Sequence, residues 1–346
     1  TEVRTYMDTI VGEQSICFQR PPQIVSAASV VGKKESEGPL GALFDEVEPD
    51  PKAGQATWEE AESALQKRAA QLALQKAQEL PGPGVPPVRY LFSGDLLGQL
   101  IATSFGVMDL KLPLFGLYGA CSTIGEALML GAMTVQGGYS EAVLALTSSH
   151  FGSAEKQFRF PLGYGGQRPL SATWTVTGSG AFVLSGSGGH AKITGATPGK
   201  VIDYGVKDSM NMGACMAPAA CDTICTHLED FGRKPEDYDA IVTGDLGVVG
   251  QKILIDLASE RGYDISAQHQ DCGILIFNPE KQDTHSGGSG CACSAVTLAA
   301  YLLPKIESGE WKRMLFVPTG ALLSTVSFNE GQSVPGIAHA VVIEHC

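Results

Sequence analysis

The chain has 346 residues, of which 44% are hydrophobic and only 18% charged, with 42 glycines and 19 prolines. That describes a turn-rich, largely buried protein of about two domain-sized units. Its formal net charge of −13 opposes attraction to phosphate backbones and argues against nucleic acid as a partner.

The longest apolar run, Gly116 to Thr134, is interrupted by glycines and Glu126, so no transmembrane segment is expected. The first twenty residues carry Glu2, Asp8 and Glu13 without an apolar core; they do not read as a secretory signal and form an N-terminal extension, 1–20. Nine cysteines, with no paired C-x-x-C elements at zinc-site spacing, suggest neither a disulfide framework nor a structural metal, and fit a reducing, cytoplasmic compartment. The absence of a phosphate loop or a dinucleotide fingerprint leaves no nucleotide cofactor to expect.

In chain order, Thr57 with Glu60 forms a capping box that opens a helix through Trp58, Leu65, Ala69 and Leu72, with charges on its other face. A strand at Leu91 ends in Ser93-Gly94-Asp95-Leu96. The stretch Ala120 to Val135 holds one charge, Glu126, and predicts a helix buried on all sides with Cys121 at its head. A strand to Thr147 follows, then His150, placed near the mouth of the Cys121 site. The segment 150–168 has His150, Lys156, Arg159 and Arg168 against Glu155, and another strand runs from Gly180 to Ser185.

The pattern then repeats. Ile241-Val-Thr-Gly-Asp245-Leu mirrors the earlier strand and turn, and Ala292-Cys293-Ser294 mirrors Ala120-Cys121-Ser122. Cys293 stands as far from Thr319 as Cys121 does from Thr147. The second buried helix has no charge before Lys305, and Pro304 should kink or end it. The closing strand runs from His339 to Glu344. The halves are 21–190 and 191–346. Two wholly buried helices need apolar sheets on both sides, which gives an α/β fold of five layers, α-β-α-β-α. The second half carries extra length between Asp245 and Cys293, with a strand expected at Ile274–Phe277, and this insertion should bound a pocket. Cys215, Cys221 and Cys225 read as helix packing, or as a metal half-site.

A duplicated half with a cysteine heading a buried helix resembles the thiolase and ketoacyl-synthase superfamily. Within it, several runs look like the stage V sporulation protein AD family: Gly38-Pro-Leu-Gly-Ala-Leu-Phe-Asp45, Gly119-Ala-Cys-Ser-Thr123, Thr147-Ser-Ser-His150, Gln157-Phe-Arg159, Tyr164-Gly-Gly-Gln167, Val176-Thr-Gly-Ser-Gly180 and Gly287-Gly-Ser-Gly-Cys-Ala-Cys-Ser294. The resemblance implies a thiolase-like five-layered sandwich. It also implies binding of dipicolinic acid (pyridine-2,6-dicarboxylate), free or as its calcium chelate, for uptake into the developing spore. Further implications are a forespore location at the inner spore membrane beside channel proteins of the same operon, and homodimerisation through sheet edges.

A thiol at a helix N-terminus is favoured as thiolate and suits a condensing enzyme's nucleophile. Acyl transfer also needs a base and oxyanion donors. Where synthases carry His after the second-half strand, this chain has Thr243-Gly244-Asp245; where they carry Asn or His, it has Gly287-Gly-Ser289-Gly290; and Pro318-Thr-Gly320 replaces the late cysteine loop of thiolases. Binding without turnover is therefore expected, with Cys121 a vestigial nucleophile. The alternative is an active acyltransferase using Cys121 with His150 or His269 as base. The ligand-binding candidates are Cys121, His150, Arg159, Asp95, Asp245 and Ser289. Arg159 is included because a guanidinium fork matches a carboxylate. Asp95 and Asp245 are included as turn acceptors that could also ligate calcium or orient a ring nitrogen.

Overall fold

The computed structural model describes residues 9–81, 84–159, 162–164 and 167–346. The glycines 165 and 166 singled out in the sequence lie outside the described residues. In the first half, Gln23–Gly32 (β1), Tyr90–Gly94 (β2), Leu114–Gly116 (β3), Ala142–Ser149 (β4) and Gly178–Ser185 (β5) stand in the order β1-β5-β4-β2-β3. In the second, Ala191–Thr197 (β6), Ala240–Thr243 (β7), His269–Asp271 (β8), Arg313–Val317 (β9) and Ala340–His345 (β10) stand as β6-β10-β9-β7-β8. The two orders are the same, as are the strand directions: β4, β2 and β3 run parallel and β5 antiparallel to β4, matched by β9, β7, β8 and β10. The duplication seen in the residues is thus a duplication of topology.

The two sheets are also joined. β6 pairs with β1 through Ala191↔Ile24 and Lys192↔Gln23, so the sheet runs continuously through both halves. The short strand Ser15–Cys17, from the N-terminal extension, pairs with β6 of the second half, and the Asp230 carboxylate accepts the N–H groups of Glu13, Gln14 and Ser15.

Helix Trp58–Glu79 (α1) opens with the expected capping box and packs Leu65, Ala69, Ala70 and Ala73 on the outer face of the first sheet. Thr123–Gln136 (α2) lies inside, against β4, β2 and β5 on one side and β10 on the other. It is buried up to Ala132; beyond that its last turn emerges, with Met133 at 44% exposure, so burial is less complete than the composition predicts. The short helix Phe151–Phe158 (α3) follows β4. Met212–Phe231 (α4) and Gly247–Glu260 (α5) cover the second sheet from outside. Cys291–Thr297 (α6) is the second inner helix, wholly buried. The result is the five-layered thiolase-like sandwich.

Two local expectations change. Pro304 neither ends nor sharply breaks the inner helix, because Leu298–Leu302 widens into a π-turn and the chain continues helically as Leu303–Glu307. A proline lacks the N–H that a regular turn would need, and the wider turn accommodates its ring. Ile274–Phe277 is not a strand: Cys272–Ile276 is a short helix capped by Asp271, whose carboxylate accepts from Ile274 N at 3.2 Å as well as from Leu246 and Gly247. The cap turns the chain where apolar composition alone suggests extension. No helix among the described residues is long and apolar enough to cross a membrane.

Candidate functional site

Cys121 sits in the turn Ala120–Ser122 that leads into α2. The turn is held by hydroxyls: Ser122 Oγ donates to Gly119 O at 2.6 Å and Thr123 Oγ1 to Ala120 O at 2.6 Å, while Gly119 N donates to Thr123 Oγ1 at 3.0 Å. Ala120 adopts φ 49°, a left-handed conformation costly for a residue with a Cβ. Its surroundings hold it there. Gly320 packs so closely that a Cβ would lie 2.3 Å from Gly119 O. The Cys291 thiol, heading α6, donates to Ala120 O at 3.0 Å. Two cysteine-headed inner helices thus meet at one point.

Above this point lies a cleft between the halves. Its enclosed part holds about 30 Å³, roughly one water molecule's share of the liquid. The concavity including its open mouth is about 450 Å³, within the range of small-molecule sites. Its polar side chains include Cys121, Glu155, Arg159 and Ser289; Leu96, Phe158, Met212 and Leu323 narrow it.

Three of the six candidates, Cys121, Arg159 and Ser289, therefore line the cleft. Asp245 stands immediately behind Cys121, hydrogen-bonded to its thiol, and accepts from Thr319 Oγ1 at 2.7 Å and from Gly290 N at 3.1 Å. Gly290 reaches it with φ 102°, where a Cβ would lie 2.6 Å from Ser149 Oγ. Burial pushes the Asp245 carboxyl up to about 7. Burial and the neighbouring Asp245 together hold the Cys121 thiol well above its ordinary range. This reverses the expectation of a helix-stabilised thiolate: desolvation and an adjacent acid outweigh the helix end.

His150 and Asp95 are not brought to the cleft. His150 caps α3, with Nδ1 accepting from Gly152 N at 3.0 Å and Nε2 donating to Pro51 O at 2.8 Å, and its ring lies 5.5 Å from that of Trp58 on the outer side of the sheet. Asp95 is a turn cap, accepting from Leu97 N and Thr103 N, both at 2.7 Å. His269 is also remote from the thiol; it hydrogen-bonds Thr243 and Gln251. Of the extra length between Asp245 and Cys293, Ser289 and Gly290 reach the cleft while the helix Cys272–Ile276 does not line it; the rest of the second-half wall comes from Met212, Ala321 and Leu323. Cys221 and Cys225 face one another with sulfurs 3.9 Å apart in the buried face of α4, and no group of metal-binding side chains occurs among the described residues.

Glu155 is a site residue that the sequence reading passed over. It lies one turn before Arg159 on α3, so the i, i+4 spacing of opposite charges could have marked it. Arg159 Nη1 donates to Glu155 Oε1 at 2.7 Å, and both side chains are largely buried.

Set beside known proteins, the chain matches the family model "Stage V sporulation protein AD" over residues 12–344. It is 44% identical to the stage V sporulation protein AD of Bacillus subtilis (strain 168) over 335 residues, covering 97% of this chain and 98% of that one. Among solved structures, 3-oxoacyl-[acyl-carrier-protein] synthase III of Aquifex aeolicus VF5 superposes with a TM-score of 0.55 at 14% identity, covering 94% of this chain and 100% of that one. Cerulenin-bound OleA of Xanthomonas campestris gives 0.59 at 15% identity, covering 95% and 97%. At such identities the structural likeness concerns the fold alone. The doubled topology, the cysteine-headed inner helices and the match along nearly the whole chain converge, and the chain belongs to the stage V sporulation protein AD family, built on a thiolase-like scaffold.

Proposed function

We propose that the chain is a non-catalytic receptor that captures dipicolinate, free or with calcium, in the cleft above Cys121, and delivers it during sporulation beside membrane channel proteins. One observation carries the reading. The residue against the Cys121 thiol is a buried acid, Asp245, in place of an imidazole. An imidazole that takes a thiol proton becomes a cation that stabilises the thiolate, whereas a carboxyl becomes only neutral and its ionised form opposes the thiolate, so the sulfur stays protonated and nucleophilic attack has no activated nucleophile. The same cleft presents a cation suited to a carboxylate. Arg159 donates through Nη1 to Glu155, and its other N–H groups meet no acceptor among the described residues.

Family membership supports a sporulation role, and the resemblance set out above supplies the ligand. The enclosed volume is too small for a pyridine ring, so binding requires the apolar walls, Phe158 and Leu323 foremost, to move apart. Titration calorimetry with dipicolinate, with and without calcium, tests the reading. We expect saturable binding near one ligand per chain and no covalent adduct by intact mass. Absence of heat under both conditions, or a Cys121 acyl adduct after incubation with acyl thioesters, would overturn it.

A further inference from the structure

Glu155 carries a feature that simple anion binding leaves unexplained. Its side chain is only 1% exposed, and while Oε1 accepts from Arg159, Oε2 is buried with no hydrogen-bond partner among the described residues. Nearby, Arg168 is also sealed, its side chain 1% exposed; Nη2 donates to Asp283 O at 2.6 Å, yet Nε and Nη1 have no partner among the described residues. Arg168 lies close enough to Glu155 for the two charges to act on one another. Polar atoms buried in this way are rare in folded proteins and costly to leave unmatched. They point to a ligand that supplies both complements.

The charges limit which ligand that is. Arg159 and Arg168 contribute two positive charges, and Glu155 and Asp283, whose Oδ2 lies 3.4 Å from Arg168 Nη2, two negative. The other groups around Glu155 are engaged elsewhere or neutral. Lys156, on the same helix, turns outward to Glu59; Glu62 of α1 is bonded to Ser148 and Ser153; across the cleft stand the Cys121 thiol and the Tyr118 hydroxyl, with Asp245 behind. A full dianion would set a carboxylate oxygen against the bare Oε2 of Glu155. A hydrogen monoanion would give Arg159 its carboxylate and Glu155 its proton.

Building on the proposed function, we infer that the cleft takes its diacid as the hydrogen monoanion, with Glu155 as the specificity-determining residue that shares the ligand's remaining proton. At alkaline pH, where the diacid and Glu155 are both ionised in the free state, complex formation takes up one proton from solvent. That proton lodges between Glu155 Oε2 and a ligand carboxylate oxygen; no covalent bond changes. Burial raises the Glu155 carboxyl above its ordinary range, consistent with a group ready to hold a proton.

The test is calorimetry of the full chain with metal-free dipicolinate in EDTA, across pH 7.5 to 9 and in buffers of differing ionisation enthalpy. Wild type should show affinity falling up to about tenfold per pH unit, with uptake approaching one proton. Glu155→Gln, whose amide supplies a hydrogen permanently and can still accept from Arg159, should bind with flat pH dependence and no uptake. Glu62→Gln, at a buried acid outside the cleft lining, should keep the wild-type slope, which separates Glu155 from the other buried acids. Binding by wild type without a pH slope, or a slope that persists in Glu155→Gln, overturns the inference while leaving the receptor reading intact, as does binding only when calcium is present. Absence of binding under every condition overturns both.

Discussion

The two halves repeat a strand, an Asp-Leu turn and a cysteine-headed inner helix, and they use the repeat differently. In the first half Asp95 closes its own turn by accepting two backbone N–H groups, and Cys121 opens on the cleft. In the second, Asp245 reaches across to that same thiol, while Cys293 is fully buried with its sulfur 3.5 Å from Gly244 O. One acid maintains the fold and its duplicate stands behind the cleft; one cysteine faces the cleft and its duplicate fills the core. Equivalent positions in a duplicated scaffold therefore carry equal geometry but separate duties, set by which half supplies the neighbours.

Removing the structural acid should have the largest effect. Asp95→Ala leaves two buried N–H groups without acceptors and should cost about 3–5 kcal/mol of stability in denaturant titrations. Dipicolinate affinity of the remaining folded protein should be unchanged; a selective loss of affinity would show that Asp95 serves the site after all. Arg159→Met acts on the other side of the comparison. It should weaken dipicolinate about 10–100-fold, the scale of a charged hydrogen-bonded contact, and also lower the melting temperature, because the buried Glu155 loses its partner, so affinity is read on the folded fraction. Unchanged affinity would place the ligand elsewhere.

The local fold was legible wherever side-chain chemistry acts on its own backbone. The capping box at Thr57, the duplicated Asp turns and the charge-poor inner helices all follow from residue type and spacing. Arg159 and Ser289 could be assigned to the cleft because the basic loop and the glycine run converge on Cys121 in a doubled fold. His150 could not: at a strand end, one step in the pleat sends a side chain to the opposite face, and only packing against Trp58 and Pro51 settles which. The short edge strands β3 and β8 were equally hidden, being only three residues each and lacking a run of alternation. Glu155 was visible as a charge but not as an orphan, since that depends on three-dimensional neighbours.

A smaller effect separates Asp245 from an ordinary carboxylate. Its folded-state value of about 7 lies above the ordinary aspartate value of 3.8, so the native state binds the extra proton and stability falls as pH rises through that interval. Asp245→Asn should flatten this part of the profile and raise the melting temperature at pH 8 by about 2–4 °C. Glu35 and Glu62, pushed up to about 7 and about 8 by burial, retain the same sign, so the slope lessens without vanishing. A steeper slope in the variant would contradict the assignment. The smallest effect is chemical: iodoacetamide should label Cys121 at pH 7.5 far more slowly than an exposed thiol, and Asp245→Asn should speed that labelling while leaving Cys293 silent. Rapid labelling of wild type would mean an activated sulfur.

A crystal structure of the chain soaked with dipicolinate tests the central claim most directly. The account predicts the diacid inside the cleft with a carboxylate on Arg159, Phe158 and Leu323 displaced outward, and the Cys121 sulfur unmodified beside Asp245. A closed, unchanged cleft with ligand only at the surface, or a covalent bond to Cys121, would contradict it.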